Sequence, residues 1–159
     1  MQMSIFKLLV TIILIVAAVH DVKSKGQRVP NYLSVMLIAT AVVNPNLNIL
    51  KSIIGLLVGA GIFIGSYYIN VLICKLQKKP VPEDSIGGAD VKITGAYGFA
   101  VGSWELTLVA AAIAVWGALI RRIILSIVGF IKKDSSVTMK VNYLIPYIAA
   151  GCIFCLLMI

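Results

Sequence analysis

Apolar residues in this chain come in long runs, and a short polar segment closes each one. Six runs can be traced, at about 4–20, 31–43, 49–74, 91–102, 104–131 and 141–159. Sustained alternation of apolar and polar residues, the mark of a half-buried strand, is missing, and the runs have helical length. The breaks carry residues that end helices. Pro30 stands where a second helix opens, a position at which its missing N–H costs little. Asn44-Pro45-Asn46 reads as a turn, and the stretch KLQKKPVPEDSIGGAD (75–90) reads as a non-helical segment. The pattern predicts six helices in a single domain over residues 1–159.

Composition decides what those helices are dissolved in. The chain has 159 residues and is 60% hydrophobic but only 13% charged, where soluble domains carry roughly 25% charged residues. A chain of this size cannot bury so much apolar surface in its own core. The fold class is therefore an all-α polytopic membrane protein. A crossing helix needs about 20 mostly apolar residues, so the second and fourth runs are short. The third contains Gly55-x-x-x-Gly59, a spacing that lets helices approach closely in lipid. The opening run has the look of a signal peptide, but the chain stays apolar to its last residue. It is expected to persist as the first transmembrane helix.

Charge orients the helices. Twelve of the fourteen basic residues fall in the segments after the first, third and fifth helices, and only Lys7 and Lys51 fall elsewhere. Basic loops stay in the cytoplasm, so six crossings place both termini outside and the three basic segments inside, in the cytoplasmic membrane. The net charge of +8 then serves topology and anionic lipid headgroups. No aromatic-basic motif accompanies it, so nucleic acid is not expected as a partner. Cys152-x-x-Cys155 lies inside an apolar run with no second ligand pair, and His20 is the single histidine. Neither a metal nor a cofactor is expected.

Against this background the acids stand out. Asp21 begins the first cytoplasmic segment and Asp90 ends the second, each at a helix end. Carboxylates at a membrane boundary are costly and point to function. Two brought together share a proton, so that one activates water while the other polarises a carbonyl. Gly87 and Gly88, beside Asp90, leave room for a peptide backbone. Taken singly, Asp21 also reads as a solvated residue at a helix exit and Asp90 as a helix cap. Three functions stay open on the residues alone: an aspartyl membrane enzyme, a transporter or channel using the acids as an ion path, and a non-catalytic assembly protein.

Two segments resemble a known family. Asp21-Val22-Lys23-Ser24-Lys25-Gly26-Gln27-Arg28-Val29-Pro30-Asn31 is similar to the first motif of the type IV prepilin peptidases. Gly87-Gly88-Ala89-Asp90-Val91-Lys92 is similar to their Gly-x-Gly-Asp motif. Leu144-Ile145-Pro146-Tyr147 with Gly151 resembles their last, proline-bearing helix. The resemblance implies an aspartic endopeptidase that removes the short basic leader of prepilins or pseudopilins at the cytoplasmic membrane face, just before the substrate's hydrophobic segment. It implies Asp21 and Asp90 as the catalytic pair, with Gly87, Gly88, Ala89, Pro30, Asn31 and Lys92 as motif support and substrate approach. Ala89 departs from the motif's second glycine. The larger members' methyltransferase region has no counterpart here, so cleavage without methylation is expected, as in the short stand-alone members. The archaeal preflagellin peptidases are close relatives and form the alternative. The expected partners are the prepilin and membrane lipid, and a homo-oligomer is compatible with the sequence.

Overall fold

The computed structural model describes residues 2–24, 29–78, 88–132 and 144–158. Gly87 and the basic and acidic residues of 25–28, 79–86 and 133–143 lie outside the described residues. Six α-helices follow one another: α1 (Gln2–Lys23), α2 (Asn31–Ala39), α3 (Ile49–Leu76), α4 (Gly88–Val101), α5 (Trp104–Lys132) and α6 (Ile145–Leu157). A 3₁₀ turn, Thr40–Val43, prolongs α2, and among the described residues there is no strand. Three segments are long and apolar enough to cross a membrane: Met3–Lys23, Ile49–Leu76 and Trp104–Leu125.

Three boundaries differ from the pattern-based expectation. Helix α1 does not stop at the first acid but runs through Asp21 to Lys23, and Ser24 N–H still donates to His20 O at 2.9 Å. A polar side chain does not end a helix so long as the backbone bonds continue. Helix α4 begins at Gly88, which places Asp90 in its first turn rather than at its cap. Lys75 and Leu76, expected in the polar segment, belong to α3.

Helix α4 is the central element. Ile93 through Gly98, and again Ala100 and Val101, are buried. A helix apolar on all sides belongs in an interior, and its glycines let neighbours come against its backbone. Gly55 of α3 faces Gly98, and Gly59 faces Thr94, so the two helices run antiparallel at backbone distance. A methyl group added at Gly59 would stand 2.5 Å from Thr94 O. Lipid supplies no hydrophobic drive between helices, so such close packing carries the association. Gly102, at φ +67°, closes α4 in the left-handed conformation and donates to Gly98 O at 3.0 Å.

Two side-chain ties make α2 and α4 parallel. At one end Lys92 Nζ donates to Asn31 Oδ1 at 2.8 Å. At the other, Asn44 Nδ2 donates to Ala100 O at 2.9 Å and to Val101 O at 3.3 Å. Helices α5 and α6 run antiparallel, with Gly151 against the Ala110 carbonyl and Gly117 under the Tyr147 ring. Tyr97 of α4 donates through its hydroxyl to Cys152 O of α6 at 3.1 Å. Helix α1 packs along α6 and presents Ile5, Leu8, Leu9, Ile12, Ile15 and Val16 outward, as a lipid-facing surface requires.

Candidate functional site

The inward stripe of α1 is Phe6, Val10, Ile13, Leu14 and Ala17, all buried. Asp21 follows Ala17 by four residues, one helical turn, and so continues the stripe. The residue is 4% exposed. Among the described residues its Oδ2 has no hydrogen-bond partner, and the Nδ1 of neighbouring His20 is likewise buried without one.

Asp90 is 7% exposed on the first turn of α4. Its level follows from the helix registers. Tyr97 meets Cys152, and Asp90 and Ile145 each lie seven residues before those two. Seven residues make about 10 Å of helix, and α4 and α6 run in the same direction. Asp90 and Ile145 therefore stand at about one depth. Asp21, near the end of α1, and Asp90, in the first turn of α4, sit at the same end of the bundle.

Lys92 and Asn31 close the same end. Both are exposed, and their hydrogen bond joins the segment that follows Asp21 to the segment that carries Asp90. Pro30, at φ −60° and ψ 135°, turns the chain into α2, and its carbonyl accepts from Leu33 N–H at 3.2 Å. Among the described residues nothing lies within 4 Å of where a Cβ on Gly88 would be. Ala89 is half-buried and packs on the core, so this backbone accommodates its methyl group. Gly87 lies outside the described residues. One turn inward from Asp90, Thr94 is fully buried and its hydroxyl has no partner.

Charge is divided between the two ends. Lys23, Lys75, Lys78, Lys92 and Arg121 lie toward the aspartate end, whereas Lys7 and Lys51 lie toward the opposite one. An open groove of about 520 Å³ runs between α5 and α6 at the aspartate end, lined by Gly117, Ile120, Arg121, Ile124, Leu125 and Tyr147. Among the described residues no three His, Cys, Asp or Glu side chains are placed to share a metal ion. Cys152 and Cys155 are buried free thiols.

Sequence reading missed one tie between helices. Tyr97 looks like one more core aromatic until its hydroxyl is seen on Cys152 O. The inward placement of Asp21 had a signal, the spacing 6, 10, 13–14, 17, 21 along α1.

Three long apolar helices in a bundle with a buried, glycine-rich one define an α-helical membrane protein. A family model described as the type IV leader peptidase family matches residues 8–122, which is 115 of the 159 residues and includes both aspartates. The chain belongs to the type IV leader peptidase family and is a membrane protease. Searches of curated proteins and of solved structures return no match.

Proposed function

We propose that the protein is an aspartic endopeptidase that removes the short basic leader from type IV prepilins or pseudopilins at the cytoplasmic face of the membrane. The observation that supports this reading is that Asp21 and Asp90 are both buried at the same end of the bundle, one near the end of α1 and one in the first turn of α4. Two carboxyl groups at close quarters in a poorly solvated site hold one proton between them. The ionised member draws a proton from water as that water attacks the scissile carbonyl. The protonated member hydrogen-bonds the carbonyl oxygen and stabilises its developing charge. Proton return to the amine completes cleavage, and the pair ends as it began.

The surroundings suit such a substrate. Gly88 is exposed, with no described residue within 4 Å of where its Cβ would be, which suits a substrate backbone approaching Asp90. The mostly apolar groove between α5 and α6 offers a surface for the hydrophobic segment that follows the cut. Six crossings with both termini outside would put the basic residues of the aspartate end in the cytoplasm. A basic leader held there lies on the side of the membrane where prepilins are made.

The test is cleavage of a class III-type prepilin by the purified protein in detergent. Asp21→Asn and Asp90→Asn are each expected to lose at least about a hundredfold in kcat with unchanged yield and thermal stability. Normal cleavage by either variant defeats the pair. Labelling of cysteines placed at 21 and 90 from opposite sides of the membrane defeats it as well.

A further inference from the structure

Among the described residues three threonines are buried, and two of them use their hydroxyls as helical threonines commonly do. Thr40 Oγ1 donates to Leu37 O at 2.6 Å, and Thr107 Oγ1 donates to Ser103 O at 2.7 Å. Thr94 differs. It is 0% exposed, yet its hydroxyl has no hydrogen-bond partner among the described residues. Its place on α4 is the second observation. Thr94 follows Asp90 by four residues, one helical turn. Helical side chains lean toward the N-terminus, so Thr94 leans back toward the turn that carries Asp90. Asp90, Thr94 and Tyr97 form one stripe, and the Tyr97 hydroxyl on Cys152 O shows that this stripe faces α6. Helix α3 packs on the backbone of the same turn, with Gly59 against the Thr94 carbonyl and Ala60 against Gly95. Helix packing thus accounts for the Thr94 main chain and leaves its hydroxyl unexplained. Valine has nearly the same shape, and a buried donor without an acceptor is costly.

We propose that Thr94 is a positioning residue for Asp90. During turnover its hydroxyl donates to the Asp90 carboxylate and fixes the orientation of that group as water is activated. A helical threonine has two accessible χ1 states, so the hydroxyl turns toward Asp90 about a single side-chain bond. It keeps its own proton throughout and touches no reacting atom; it acts through Asp90. The kinetic consequence rests on the leader-peptidase reading, whereas the contact between the two side chains does not.

The test compares two small changes. Thr94→Val keeps the shape and deletes the hydroxyl, and Thr94→Ser keeps the hydroxyl and deletes a methyl group. Three readouts are taken in lipid nanodiscs: prepilin cleavage, thermal unfolding, and the infrared carboxyl bands of Asp90 as the difference from Asp90→Asn. Thr94→Val is expected to lower kcat about tenfold to a hundredfold, the worth of one hydrogen bond to a charged group, with KM within about twofold. Its unfolding temperature should be at or above that of the parent, and its Asp90 bands should be displaced. Thr94→Ser should keep kcat within about threefold and leave the bands in place. Should Thr94→Val not fold, Thr94→Ala set against Thr94→Ser asks the same question, since those two differ only by the hydroxyl. Parent kcat without the hydroxyl, unmoved Asp90 bands without it, or an equal fall in kcat with it retained overturns the proposal. Displaced bands in a protein whose parent cleaves no prepilin uphold the contact and sink the leader-peptidase reading instead.

Discussion

The two ends of the bundle are built on opposite rules. At the end away from the aspartates, polar groups are tied down. Asn44 ties the end of the 3₁₀ turn to the finish of α4, donating to two carbonyls while its own Oδ1 accepts from Asn46 N–H at 3.0 Å. Asn48 caps α3 by accepting from Lys51 N–H, and Ser103 bonds Glu105 and Leu106 N–H. At the aspartate end, among the described residues, Asp21 Oδ2, His20 Nδ1 and, one turn inward, the Thr94 hydroxyl are buried without a partner. Ser52 is the exception at the tied end, packed beside Gly102. An unmet buried polar group costs about 1–3 kcal/mol, so each such group calls for a reason beyond packing.

That contrast can be broken or sharpened by substitution. Beyond the asparagine variants, the largest effect is expected at the α3–α4 contact, which belongs to neither end. Gly98→Leu or Gly59→Leu drives a side chain into backbone and should cost about 3 kcal/mol or more, read as loss of folded protein by size exclusion and thermal unfolding. Next comes the tied end. Asn44→Ala should lower stability by about 1–3 kcal/mol while kcat stays within about twofold. A large fall in kcat with stability intact would erase the distinction between the ends. At the aspartate end, Lys92→Met should lower kcat/KM about twofold to fivefold, as for one partly solvated hydrogen bond. Its effect should largely disappear in an Asn31→Ala background, and additive effects would mean the Lys92–Asn31 bond is not what matters. Smallest is Ala89→Gly, expected within about twofold of the parent in cleavage because the half-buried methyl already fits.

Much of the fold is legible in the sequence, because in a membrane chain each apolar run is nearly a helix by itself. The breaks at Pro30 and at Asn44-Pro45-Asn46 fall where α2 opens and its 3₁₀ turn closes. What the runs do not carry is partnership. Gly55-x-x-x-Gly59 announces a close contact but not with which helix, and the answer, Gly98 and Thr94, lies about 40 residues on. The site divides in the same way. Asp21, Asp90, Asn31 and Lys92 are all visible as motif residues, whereas the bond between Asn31 and Lys92, 61 residues apart, is not.

The brevity of α4 has one more consequence. Its 14 residues make a rod about 21 Å long, whereas the hydrocarbon layer is about 30 Å thick. Its neighbours α3 and α5, with 28 and 29 residues, have length to spare. Enclosed by other helices rather than by lipid, so short a rod cannot reach both membrane surfaces, and the ends of its longer neighbours extend beyond it.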